Sequence, residues 1–249
     1  MLERLLPAIC LVLLLATIPA SAAPAEVWLT AEDDVKVRGD LYALEGDEAK
    51  AGPVVLLFHQ AGSNRGEYAT IAPRLNALGF HALALDQRSG DARWGLRNET
   101  VDSLGESTKY LQALPDLEAA LRWKQMSGYT GKTIVWGSSY SAALVFLLAE
   151  NHGDQIDGIL SFSPGEYLGS RSTEVSTAAA KVSVPVLILT PEEERSRAEP
   201  IFRAIPGERK DFVVPPKAVH GSSMLIAERN PEASAIWPRI EDYLARFAK

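Results

Sequence analysis

Thr133-Ile134-Val135-Trp136-Gly137-Ser138-Ser139-Tyr140-Ser141-Ala142-Ala143-Leu144-Val145 runs from an apolar, β-branched strand pattern through small residues into an apolar helix pattern. A turn of this kind holds its central residue out above the C-terminal edge of a sheet, and a serine there sits as in a nucleophile elbow. Gly137 and Ser141, two residues to either side of Ser139, are small enough for neighbouring backbone to approach. Ser141 stands where such turns usually carry glycine. Serines are also good helix N-caps, so a capping role for Ser138, Ser139 and Ser141 is the competing reading.

Outward from this turn the sequence alternates strand and helix patterns. Upstream, Val54–Phe58 is continuously apolar, as in a strand buried on both faces of a parallel sheet. A helix is expected over Gly66–Leu78, a strand over His81–Leu85 and a helix over Leu114–Met126. Downstream, a helix over Ser139–Glu150, strands over Ile156–Phe162 and Val184–Thr190, a helix near Arg195–Ala204, a strand over Asp211–Val214 and a helix over Glu232–Ala248 continue the series. The pattern is α/β and doubly wound. Val27–Thr30 and Val35–Leu44, with a turn at Glu32–Asp34, read as an antiparallel hairpin leading into the sheet. Asp86–Gln112 reads as one long irregular connection, and loops of that length are usually functional. Asp86, Arg88 and Trp94 on it are placed to line a pocket, with Asp86 and Arg88 expected as a structural pair.

Of the 249 residues, 47% are hydrophobic and 23% charged, which suits an ordinary globular chain with a single core. The N-terminus stands apart. Arg4, the apolar run Ile9–Ile18 and the small residues Ala20-Ser21-Ala22-Ala23 have the order of a secretory signal peptide, too short to span a bilayer. Residues 1–22 are therefore expected to be removed and residues 23–249 to form one secreted or periplasmic domain, without stable membrane insertion. The single cysteine, Cys10, lies inside the signal, so neither disulfides nor thiolate chemistry are expected in the mature chain. A net charge of −7 without Lys/Arg clusters is poorly suited to nucleic acid or anionic lipid and directs attention to small neutral or hydrophobic substrates. No metal or cofactor is expected, because ligand spacings and Gly-rich phosphate loops are missing.

Two further motifs flank the elbow. Phe58-His59-Gln60-Ala61-Gly62 closes the first buried strand pattern, and Pro215-Pro216-Lys217-Ala218-Val219-His220-Gly221-Ser222-Ser223 follows the last. With the elbow and the order of strands and helices, they make the mature chain resemble the α/β-hydrolase superfamily, and within it the compact dienelactone-hydrolase-like members without a large cap. About 20 residues between Phe162 and Val184 leave no room for a multi-helix cap.

The resemblance implies roles. Ser139 is the nucleophile and His220 the general base that takes and returns its proton. Two backbone N–H groups form the oxyanion hole, one from Tyr140 and one from Ala61 or Gln60. Gln60 stands where many members have glycine, which leaves the second amide open. His59 is expected to be structural, as are His81 and His152. The orienting acid falls in Pro191-Glu192-Glu193-Glu194, with Glu194 favoured by spacing, Glu192 as an alternative, and Glu166 a further one because it also follows a core strand. Three solvated glutamates opening a helix would look the same in sequence. Any of these acids gives the order Ser, acid, His required of this arrangement. The expected function is hydrolysis of a small carboxylic ester, lactone or thioester through an acyl-enzyme. A catalytically inactive hydrolase-like binding protein and an acyltransferase using the same residues are the alternatives.

Overall fold

The computed structural model describes residues 23–46, 49–169 and 173–248. The expected signal segment, residues 1–22, lies outside them. An eight-stranded sheet runs in the order β1 (Ala25–Thr30), β2 (Lys36–Tyr42), β4 (His81–Leu85), β3 (Val54–Phe58), β5 (Thr133–Ser138), β6 (Gly158–Phe162), β7 (Val186–Leu189), β8 (Lys210–Val213). β1 and β2 form the N-terminal hairpin, β2 also pairs antiparallel with β4, and every other pairing is parallel.

The apolar run of β3 has a simple physical cause. Alternate side chains of a strand face opposite sides. Here Val54, Leu56 and Phe58 enter one core while Val55 and Leu57 enter the other. The first core is closed by α3 (Leu114–Met126), α4 (Tyr140–His152), α5 (Glu174–Ala179) and α6 (Arg195–Ala204), the second by α1 (Ile71–Ala77) and α7 (Ala233–Leu244). α4 is buried from Tyr140 through Ala149, which is why its sequence is apolar on all sides.

β3 lies between β4 and β5, so the chain switches sides of the sheet there. In open α/β sheets, ligand sites form in the crevice at the strand C-termini beside such a switch. The loop after β3 and the turn after β5 meet at that point.

Three local expectations are corrected. The helix expected over Gly66–Leu78 is a 3-10 turn at Arg65–Tyr68 followed by α1, because Asn64 Oδ1 accepts Gly66 N at 2.9 Å and Asp86 Oδ1 accepts Arg65 N at 2.8 Å, holding the chain in a turn. The Asp86–Gln112 connection is not wholly irregular. It carries α2 (Glu99–Leu104), capped by Asn98 Oδ1 on Val101 N at 2.9 Å and ended by Gly105 at φ +88°. Asp86 and Arg88 are structural but do not pair with each other. Asp86 accepts Arg65 Nη1 at 2.5 Å and Glu99 N at 2.8 Å, whereas Arg88 binds Asp116 at 2.7 Å and Asp33. Both are buried, and each buried charge is matched by its own partner. Both lie at the start of that connection: Asp86 ties it to Arg65 and to the first residue of α2, and Arg88 ties it to the β1–β2 turn and to α3. Among the described residues, α5 is the only α-helix between β6 and β7, so no multi-helix cap covers the site.

Candidate active site

Ser139 is at φ +59°, ψ −119°, an unusual conformation for a residue with a side chain. The surroundings impose it: Ser139 N donates to Phe162 O at 2.8 Å as β5 ends, and α4 begins at the next residue. A Cβ on Gly137 would lie 2.3 Å from Ser141 O, so only glycine permits this crossing of strand and helix.

The capping reading of the three serines does not hold. Ser139 makes no side-chain cap, Ser138 donates to Glu67 Oε1 at 2.7 Å, and Ser141 donates to His59 O at 2.6 Å. The departure from glycine at position 141 thus has a physical account. Its hydroxyl also accepts Gln87 Nε2 at 2.6 Å, so it bridges the elbow to the loops after β3 and β4.

His59 is fully buried in that bridge. Its Nδ1 donates to Gln60 O at 2.8 Å and its Nε2 accepts Gln87 N at 3.0 Å. Burial lowers its pKa to about 4, so it is held neutral with both ring nitrogens occupied. This is a structural position. His81, bonded to Leu44 N and Ala49 O, and His152, beside Glu118, are likewise engaged away from the site.

Of the two amides considered beside Tyr140, that of Gln60 is committed: it donates to Glu67 Oε2 at 2.9 Å. Gln60 is corrected on that ground, and Ala61 N is the amide left in the loop. The Gln60 side chain instead donates to Ser223 Oγ at 3.0 Å, tying the loop to the segment after His220.

His220 and Glu194 come together, with Nδ1 and Oε1 2.7 Å apart. Glu194 ends a 3-10 turn at Glu192–Glu194, immediately before α6. Burial pushes its carboxyl up, but the His220 hydrogen bond, its charge, and the nearby Ser163 and Arg197 outweigh this, leaving the pKa below the ordinary carboxylate value. The two alternative acids lie elsewhere. Glu192 is exposed and pairs with Arg195, and Glu166 accepts Val175 N at 2.8 Å and Ser176 N at 2.9 Å, capping α5.

The His220 loop is docked onto the elbow. Ser138 Oγ accepts Ser222 N and Ser163 Oγ accepts Gly221 N, each at 2.9 Å. Gly221 is at φ +66°, and a Cβ there would lie 2.5 Å from Ser138 Oγ, so this close approach requires glycine. No hydrogen bond joins the Ser139 hydroxyl to a described residue in this geometry; such contacts commonly tighten only around bound substrate.

Beside His220 is a shallow cavity of about 280 Å³ lined by Gln60, Arg93, Val219, Ser223 and Arg229. The guanidinium groups of Arg93 and Arg229 lie over the Trp94 ring, 5.3 and 5.2 Å from its centroid. Neither arginine pairs with an acid among the described residues. A larger recess of about 600 Å³ opens at the opposite edge of the sheet, around Lys124, Lys132 and Asp157, remote from Ser139 and His220. Among the described residues there is no cluster suited to a metal ion and no helix long and apolar enough to cross a membrane.

Sequence reasoning missed Glu67, Gln87, Ser163 and Arg229. Glu67 and Arg229 look like ordinary surface charges in the sequence, and only the folded chain buries the first and brings the second to the cavity.

The geometry has counterparts among known proteins. The fold matches dienelactone hydrolase from Anabaena variabilis with a TM-score of 0.69 at 18% identity, covering 92% of this chain and all of that one. It matches esterase Pf2001 from Pyrococcus furiosus at 0.67 and 18%, covering 91% and 93% of the two chains. For Est1E from Butyrivibrio proteoclasticus, solved with ferulic acid bound, the values are 0.67 and 14%, with 89% and 98% covered. A search of curated proteins finds no match. At such identities the structural likenesses establish the fold alone. The family model described as "Dienelactone hydrolase family" matches residues 40–206, a span that holds the β3 loop, the elbow and Glu194 and stops short of His220. That match covers well over half of the sequence, and the protein belongs to the dienelactone hydrolase family of α/β-hydrolase-fold ester hydrolases.

Proposed function

We propose that the protein is an exported serine hydrolase that cleaves a small carboxylic ester, lactone or thioester through an acyl-enzyme on Ser139. The observation that carries this reading is the 2.7 Å contact between His220 Nδ1 and Glu194 Oε1, on a loop hydrogen-bonded to the turn that holds Ser139 in its unusual conformation.

With Nδ1–H donated to the carboxylate, Nε2 of His220 is the free lone pair. Ser139 Oγ attacks the carbonyl carbon and its proton passes to His220 Nε2. The negative oxygen of the tetrahedral intermediate is received by the N–H groups of Ala61 and Tyr140. The carbonyl–heteroatom bond then breaks, and the leaving group takes the proton from His220. Water repeats the sequence on the acyl-enzyme, its proton going to His220, and releases the acid with Ser139 restored.

The substrate class is sharpened by the mouth of the site. The net charge directs attention to neutral substrates, but local potential follows the nearest charges. Arg93 and Arg229, neither in an ion pair with a described residue and both beside His220, favour an ester carrying an anionic group. The small, uncapped cavity favours a short acyl chain.

Fluorophosphonate labelling tests the nucleophile: wild type is expected to label and Ser139→Ala is not. Unlabelled, folded wild-type protein sinks the serine-hydrolase reading in favour of an inactive binding protein. Free acid as the sole product in the presence of added alcohols and amines separates hydrolysis from acyl transfer. Export is tested by the mass of the mature chain, expected to begin at Ala23; a full-length cytoplasmic product excludes it.

A further inference from the structure

Glu67 is fully buried, on the 3-10 turn that follows the loop after β3. Its Oε2 accepts Gln60 N at 2.9 Å and the Ser63 hydroxyl at 3.3 Å, and its Oε1 accepts the Ser138 hydroxyl at 2.7 Å. The Ser138 proton points at Glu67, because a carboxylate only accepts, while the same hydroxyl oxygen accepts Ser222 N at 2.9 Å. Ser63 in turn accepts the indole N–H of Trp94 at 2.8 Å. One carboxylate therefore stands between the loop carrying Ala61, the elbow carrying Ser139 and Tyr140, and the segment following His220. Burial pushes its pKa above the ordinary carboxylate value, opposed by these hydrogen bonds and by the charge of Arg93.

We propose that Glu67 is a positioning residue whose two oxygens lock the Gln60–Ala61 turn to the Ser138–Ser139 turn, setting the spacing between the two amides that receive the oxyanion. The inference rests on the hydrolase reading above. An oxyanion hole works only if its donors are preset at about 2.7–3.1 Å from the oxygen. Gln60 is one residue before Ala61, and Ser138 is two before Tyr140, so each arm of Glu67 is anchored next to a donor. A neutral amide cannot replace the carboxylate. In Glu67→Gln the side-chain oxygen can serve Gln60 N, but the NH₂ group then faces Ser138 Oγ, which already accepts one N–H and loses the acceptor for its own proton.

The test compares Glu67→Gln and Ser138→Ala with wild type on p-nitrophenyl acetate, and measures inhibition by a trifluoromethyl ketone that forms a tetrahedral adduct with serine. Glu67→Gln is expected to lower kcat by about 10–100-fold with KM within about threefold, and to weaken the ketone by the same factor as kcat/KM falls, because the loss is confined to the tetrahedral state. Ser138→Ala removes one arm, and about a 3–10-fold loss in kcat with the same pattern is expected. A folded Glu67→Gln with wild-type kcat/KM overturns the proposal, as does a lower Tm with unchanged affinity for the ketone, the signature of a purely structural role. If Glu67→Gln does not fold, Ser138→Ala decides: unchanged kinetics overturn the proposal. A wild type that neither turns over esters nor labels with fluorophosphonate overturns the hydrolase reading itself, whereas an active wild type with indifferent variants overturns this inference alone.

Discussion

Nδ1 of His220 and Oε1 of Glu194 lie 2.7 Å apart although 26 residues separate them in the chain. Two loops make this contact: the one closing β7 and opening α6, and the one following β8. The carboxylate side chain is the more buried of the two, 15% exposed against 37% for the imidazole. In the proposed mechanism a partly buried, ionised Glu194 holds the imidazole in one tautomer and stabilises the imidazolium formed in proton transfer.

Glu194→Gln is therefore expected to reduce kcat/KM by roughly 10³-fold, since an amide no longer selects the productive tautomer. Glu192→Gln should leave the rate within about twofold, as an exposed ion pair contributes little. Glu166→Gln should also leave the rate unchanged while lowering stability by about 1 kcal/mol through the weakened cap of α5. Steady-state kinetics and urea unfolding of the three variants check this. A rate defect in Glu166→Gln alone would reassign the acid.

The positive φ of Ser139 carries strain that only glycine relieves. Ser139→Gly and Ser139→Ala should both abolish turnover. Ser139→Gly should be the more stable by about 1 kcal/mol, strain relief exceeding the extra backbone entropy of glycine in the unfolded chain. A Ser139→Gly variant less stable than Ser139→Ala would show that the turn is unstrained, the unfolded-chain entropy of glycine then being unopposed.

Ser141→Ala removes both the donor to His59 O and an acceptor for Gln87 Nε2 in a buried network. A destabilisation of about 1–3 kcal/mol is expected, with the denaturant m value unchanged. A loss below about 0.5 kcal/mol would mean that water or a side-chain shift satisfies these groups.

His59 makes stability depend on pH in a defined direction. Its pKa falls to about 4 in the fold because burial excludes the charged ring, against about 6.5 in the unfolded chain. Above the unfolded value both states are neutral and the contribution is fully present. As pH falls from about 6.5 to 4 the unfolded chain takes up a proton that the folded protein refuses, so stability is lost, on the order of 3 kcal/mol by pH 4. Asp116, raised to about 6 by burial despite Arg88, works in the opposite sense over part of this range. The measurement is therefore the difference in unfolding free energy between wild type and His59→Gln at several pH values. That difference should shrink as pH falls; a constant difference excludes a buried neutral His59.

Removing the two guanidinium groups at the mouth tests the charge preference. The double variant Arg93→Ala with Arg229→Ala should raise KM for a carboxylate-bearing ester by about tenfold, each lost exposed charge contact contributing up to about 1 kcal/mol. KM for a matched neutral ester should be unaffected, and added salt should narrow the wild-type preference. Equal effects on both esters would show that the arginines merely shape the wall.

Local chemistry determined much of this protein. The two-sided burial of β3 and β5, the alternation into a doubly wound sheet and the strand-to-helix turn at Ser139 are all legible in the sequence, because each depends on side chains within a few residues of one another. The choices that needed the tertiary structure are those among chemically equivalent neighbours. Glu192, Glu193 and Glu194 are identical in composition, and only the 3-10 turn before α6 aims the last one at His220. Gln60 and Ala61 are adjacent amides, and the buried Glu67 claims the first. Asp86 and Arg88 look like a pair but are drawn apart to Arg65 and Asp116, because each buried charge is satisfied by what the fold packs against it. Periodicity and turn chemistry act over one or two turns of chain, whereas hydrogen-bond partners and local electrostatic potential are set by contacts across 20 to 160 residues that no local pattern encodes.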